Sequence, residues 1–201
     1  MKDMIKDALV LFVITLIAGL ALGYVYHITK DPIAASELKA KNESYAKVFP
    51  EASSFEAISF DETVFDSADW KAEGNSGIVV TEVASAKDSS DSSLGYVLLM
   101  KTKNGYGGDI TFSMGITNEG VVNGISILTI SETAGLGMRA EEVLQPQFQN
   151  KAVEKFSLVK NGATSDSQID AISGATITSN AVTNAVNAGL YYFENSLGGG
   201  N

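Results

Sequence analysis

Between Ala8 and Thr29 the chain carries no Asp, Glu, Lys or Arg, and Leu9–Leu22 is mostly Leu, Val, Ile, Phe and Ala. As a helix these 22 residues reach roughly 33 Å, enough to cross a hydrocarbon core of about 30 Å. Tyr24, Tyr26 and His27 form an aromatic end of the kind that marks a membrane interface. Asp31-Pro32 is expected to stop the helix there. A cleaved signal peptide is the competing reading, with Lys2 and Lys6 as its basic start. The apolar run is longer than the usual ~7–15 residue core of a signal, and Ala21-Leu22-Gly23 is a poor cleavage site. The run therefore reads as a retained anchor, leaving room for one compact domain.

Composition narrows what that domain does. With the three lysines and two aspartates of residues 1–30 set aside, 11 basic and 22 acidic residues remain, a net charge of −11. Nucleic acid and anionic lipid surfaces demand basic patches, so neither is expected as a partner. The chain has no cysteine, which excludes Cys-ligated iron–sulfur clusters, disulfides and c-type haem. Its one histidine, His27, belongs to the aromatic end of the anchor, with no second ligand to complete a metal site. If the protein moves electrons, the carrier is organic.

Beyond the anchor, Ala35–Val48 is rich in Ala, Glu, Lys and Leu and predicts a helix ended by Pro50. Phe55–Phe65 is mixed and poorly periodic. Ile78–Ala84 and Leu94–Thr102 are apolar, β-branched runs flanking the polar loop Ser85–Ser93. Asn104-Gly105 signals a turn, Ile110–Thr117 a third strand, Asn118-Glu119-Gly120 another turn, and Val121–Ile130 a fourth strand. Glu141–Phe148 reads as a short helix interrupted at Pro146, and Lys151–Val159 is ambiguous. Val182, Val186, Leu190 and Phe193 then recur at helical spacing, with Asn180, Thr183, Asn184 and Asn187 off that stripe. Strands in succession flanked by helices predict an α+β domain with an antiparallel sheet.

The last helix is entered through Asp170-Ala171-Ile172-Ser173-Gly174-Ala175-Thr176-Ile177-Thr178-Ser179. Helix starts carry unpaired N–H groups and the positive end of the dipole, so a phosphate suits this place. Ser173, Thr176, Thr178 and Ser179 supply hydroxyls there. A simple N-cap is the plainer account of Ser or Thr before an apolar helix. The loop lacks the lysine of a P-loop, so a nucleoside triphosphate is not indicated. Ser131-Glu132-Thr133-Ala134-Gly135-Leu136-Gly137 leaves the fourth strand, and its plainer reading is a Gly-rich connection.

Asp170–Thr176 resembles the flavin-attachment motif Asp-x-x-Ser/Thr-Gly-Ala-Thr. That motif belongs to the covalent-FMN domain shared by the G subunit of the Rnf complex and the C subunit of the sodium-pumping NADH:quinone reductase. Glu132–Gly137 resembles the same family's Glu-Thr-Pro-Gly-Leu-Gly loop, with Ala134 where proline is usual. Gly105-Tyr106-Gly107-Gly108, Met114-Gly115-Ile116 and Gly120 match the preceding strands, and the order agrees over roughly residues 78–190. The resemblance implies FMN joined by a phosphoester to Thr176, installed from FAD by a flavin transferase. Asp170, Ser173, Gly174, Ala175 and Thr178 would surround the attachment, with Glu132, Thr133, Gly135, Leu136 and Gly137 beside the flavin ring.

The short chain and its anchor favour the Rnf G subunit, an electron carrier in a membrane complex that couples ferredoxin and NAD⁺ to Na⁺ or H⁺ translocation. Its partners would be the other membrane and peripheral subunits. The quinone reductase's C subunit, or a membrane-anchored non-redox binding or sensory domain, are the alternatives. Lysines flank the anchor on both sides, so charge does not orient it. The resemblance supplies a cytoplasmic N-terminus and an extracytoplasmic flavin domain. The implied layout is a cytoplasmic start and anchor over 1–30, a helical linker and first part of the outer domain over 31–76, an FMN-binding domain over 77–197, and a flexible tail over 198–201.

Overall fold

In a computed structural model of the chain, residues 2–160 and 162–198 are described; most of the expected tail lies outside them. Helix α1 runs from Lys2 to Val48 without a break. The stop expected at Asp31-Pro32 is absent, and the separate helix expected from Ala35 is the continuation of the same one. Proline forfeits one bond, to the Ile28 carbonyl, while the helix formers on both sides keep theirs. Within α1 lies the stretch long and apolar enough to cross a membrane, and it is unburied. The chain divides after Ala40, and the compact unit begins at Lys41.

That unit is an α+β domain built on a five-stranded antiparallel sheet. Its strands are β1 (Ser54–Ile58), β2 (Ile78–Lys87), β3 (Ser93–Thr102), β4 (Ile110–Thr117) and β5 (Val122–Ile130), each paired with the next. β4 has the expected bounds. β1 lies in the segment read as aperiodic, because five residues with one face on the sheet's edge leave no readable alternation. β2 runs on to Lys87, since the loop needs only Asp88–Ser92; the Asp88 carboxylate accepts from the N–H groups of Ser90 and Ser92 and folds that turn on itself.

Alternation along the strands gives the sheet two apolar faces. Leu98, Met100, Phe112, Met114 and Ile116 pack under helix α4 (Thr176–Ser196). Val97, Ala84 and Ala86 pack beneath Tyr45, Val48 and Phe49 at the end of α1. On α4 the stripe Val182, Val186, Leu190 and Phe193 is buried as expected, and Thr183 is buried with it. Gly189 lets the helix approach closely: a Cβ there would lie 2.5 Å from the Met114 sulfur. Rings from the strand β1–β2 connection seal the far end of α4, Phe65 against Trp70 and Trp70 against Tyr191. That connection contains helix α2 (Ala68–Ala72), capped by Ser67.

After β5 comes helix α3 (Ala140–Val143), followed by a 3₁₀ turn over Gln145–Phe148 with Pro146 near its start. Strands β6 (Ser157–Val159) and β7 (Gln168–Asp170) then form a parallel pair that the sequence does not announce. Three-residue strands are too short to display a period.

Candidate functional site

Two loops meet at an open cleft of about 530 Å³. One wall follows β5 and contributes Glu132, Thr133, Leu136 and Gly137. The other leads into α4 and contributes Gly174, Ala175, Thr176, Ile177 and Thr178, with Tyr106 at the edge. Residues 40 positions apart in the chain thus form one site, and eight of the eleven sequence candidates line it. Asp170, Ser173 and Gly135 stand outside the lining. Tyr106 and Ile177 were not among the candidates. Both are large side chains left exposed, at 71% and 52%, and with Leu136 they put apolar surface along one cleft.

The first wall is braced from behind. The Glu132 carboxylate accepts from the N–H of Tyr106 at 2.7 Å and from the N–H of Gly107 at 3.3 Å. Its charge is thereby spent on the Gly105–Gly108 turn. A Cβ on Gly107 would lie 2.2 Å from the Ser131 carbonyl oxygen, so the turn and the strand end touch through backbone alone. Gly137 is buried against the second wall, where a Cβ would meet Thr178 Oγ1 at 2.6 Å and Glu132 Cβ at 2.8 Å. Its missing side chain therefore serves the junction of the two walls. Gly135, with φ +76° and open space around it, is a turn residue.

The second wall ends in a helix start with no side-chain cap. The capping position is Ala175, and Thr176 is the first helical residue. The plain N-cap account of Thr176 is thereby set aside, and its hydroxyl makes no hydrogen bond among the described residues. Ser179, expected as one of four hydroxyls around a phosphate, does other work. Its buried Oγ accepts from the Ile172 N–H at 3.0 Å and donates to the Ala175 carbonyl at 2.9 Å, closing the loop upon itself. Asp170 lies at the end of β7, where its backbone is held by Gln147 and one carboxylate oxygen, Oδ1, is buried without a partner. No lysine or arginine lines the cleft among the described residues. An anion there would be met by first-turn N–H groups and hydroxyls.

A volume of this size lies within the roughly 300–1,000 Å³ of small-molecule and cofactor sites. Exposed apolar groups at its mouth suit a flat aromatic ring, and the uncapped helix start suits a phosphate. The residues present therefore fit FMN.

Residues 105–191 match the FMN-binding domain family, and residues 1–48 match the RnfG N-terminal region. Fold and site thus define an FMN-binding-domain protein. The chain is 32% identical over 196 residues to the G subunit of the Na(+)-translocating ferredoxin:NAD(+) oxidoreductase complex of Acetobacterium woodii, covering 96% of this chain and 93% of that one. It is 30% identical to the G subunit of the ion-translocating oxidoreductase complex of Methanosarcina acetivorans, covering 95% of each. The crystal structure of Shewanella oneidensis NqrC superposes with a TM-score of 0.50 at 17% identity, covering 75% of this chain and 84% of that one, and shares the fold. The chain belongs to the family of G subunits of the Rnf ion-translocating oxidoreductase complexes.

Proposed function

We propose that the chain is the electron-carrying subunit of an ion-translocating complex and holds FMN covalently through Thr176. The observation that carries this reading is the meeting of the Glu132–Gly137 loop with an uncapped helix start whose first residue is a threonine with a free hydroxyl. FMN supplies one- and two-electron chemistry when bound. The chain's own part is to hold and position it. Thr176 Oγ1 is the acceptor: its bond to the flavin phosphorus of FAD forms as the pyrophosphate bond breaks, AMP leaves, and the hydroxyl proton passes to solvent. A flavin transferase is the partner for that step. Thr178, Gly174 and the first-turn N–H groups stand beside the acceptor, while Leu136, Ile177 and Tyr106 offer apolar surface that keeps water from one side of a ring.

The family's complexes give the reading its context: relatives are named as subunits of ferredoxin:NAD(+) oxidoreductase complexes. The partners would be the remaining subunits, and the domain would face the extracytoplasmic side. Intact-protein mass spectrometry tests the attachment. Wild-type chain isolated with its transferase should be heavier by one FMN less water, and Thr176→Val should be unmodified yet folded, since that side chain caps nothing. Loss of the adduct in Thr178→Val but not in Thr176→Val would overturn the assignment.

A further inference from the structure

The loop that carries Thr176 begins at the open edge of a two-stranded sheet. In the parallel pair, β6 and β7 align Ser157 with Gln168 and Val159 with Asp170. The Ser157 N–H donates to the Ser167 carbonyl and the Ala171 N–H donates to the Val159 carbonyl, both at 2.8 Å. Backbone groups alternate in direction along a strand, so those of Asp170 face away from β6. A third strand would normally satisfy them, and none is there among the described residues.

Gln147 takes that strand's place. Its Oε1 accepts from the Asp170 N–H at 2.7 Å, and its Nε2 donates to the Asp170 carbonyl at 3.2 Å. A carboxamide offers the same acceptor and donor as a peptide group, so one side chain completes both bonds of a ladder step. The same Nε2 donates to the Val143 carbonyl at 2.7 Å, which fixes the side chain from behind. Two residues earlier, Gln145 Oε1 accepts from the Ile127 N–H of β5 at 3.1 Å. The 3₁₀ turn therefore holds β5, the strand that feeds one wall of the cleft, and the end of β7, where the other wall begins.

We propose that Gln147 is a positioning residue for cofactor attachment: its two-point hold on the Asp170 backbone fixes the entry of the 170–176 loop and so the presentation of Thr176. This rests on Thr176 being the acceptor. Gln147 touches no reacting atom. Its removal leaves an N–H and a carbonyl unpaired at the loop's origin, and the loop keeps the Ala171 bond to β6, the Ala175 N–H to Ile172 carbonyl bond and the Ser179 bonds at its other end.

The test uses the full-length chain in detergent with flavin transferase and FAD, following the initial rate of FMN attachment by intact mass. Gln147→Met, which keeps length and volume but neither hydrogen bond, should react about tenfold more slowly, equivalent to ~1.4 kcal/mol in the barrier. Hydrogen exchange at residues 170–176 should quicken while that of β2–β5 stays as in wild type. Gln147→Glu keeps the acceptor but sets a carboxylate against the carbonyls of Val143 and Asp170. Its rate relative to wild type should rise from pH 8 to pH 5, because the acid gains an O–H on protonation and restores one of the amide's two donations. A Met variant with wild-type rate and exchange would overturn the inference, as would a flat pH ratio in the Glu variant. If Gln147→Met unfolds, the pH ratio decides. Wild-type chain modified elsewhere than Thr176, or not at all, would instead refute the acceptor assignment.

Discussion

Tyr45 shows how a single side chain joins the end of α1 to the sheet. Its ring is 2% exposed and its hydroxyl donates to Glu82 Oε1 at 3.1 Å, while Lys41 Nζ donates to both oxygens of that carboxylate at 2.9 and 2.8 Å. Burial, and then the Glu82 charge, push the Tyr45 phenol well above its ordinary value near 10. A raised value in the folded state means stability that is fully present below pH 10 and drains away as pH climbs above it, because the unfolded chain ionises first. Tyr45→Phe removes the hydrogen bond and the proton together. At pH 8 the variant should be less stable by about 1–3 kcal/mol, the worth of a bond to a charged group. The gap should narrow between pH 10 and 12. Urea midpoints at pH 8 and 11 check this, and a gap that stays constant would show the phenol is not held neutral.

At the scale of elements, the junction of the Gly105–Gly108 turn with the end of β5 is made of backbone. Gly107→Ala pushes a methyl group to 2.2 Å from the Ser131 carbonyl oxygen, and the turn has to lift. The Glu132 carboxylate then loses both N–H donors. A cost of about 2 kcal/mol, or roughly 4–8 °C in Tm, is expected with the sheet intact. Gly135→Ala, which meets only its positive φ, should cost about 1 kcal/mol. Circular dichroism melts of the two variants distinguish a collision from a strained turn. These contacts explain what the sequence does and does not disclose. β2 to β5 are legible because apolar, β-branched runs alternate with a Ser- and Asp-rich loop and with Asn- and Gly-containing turns. The cleft is legible as two loops whose residue types fit a known motif. Gln147 is not, because its role depends on an unfilled strand edge that exists only after β7 has paired. Pro32 misleads for the opposite reason: a local breaking signal is outweighed by the helix formers around it.

For the whole molecule, the sidedness of the domain is a property that neither lysine placement nor the fold determines. Ser90 is exposed in the β2–β3 turn of a chain with no cysteine. Ser90→Cys should react with a membrane-impermeant maleimide in intact cells, and the labelled chain should stay with membranes through a high-salt wash. Labelling confined to lysed cells would put the domain inside. The five-stranded sheet is a meander whose neighbours in sequence are neighbours in space, so its pairings are local. Thr176, the proposed acceptor, opens α4, which follows every strand in the chain and packs over the sheet. A chain interrupted before α4 lacks Thr176 and so lacks the proposed acceptor. On the proposed attachment at Thr176, a flavin label would report that translation has run through to the last helix.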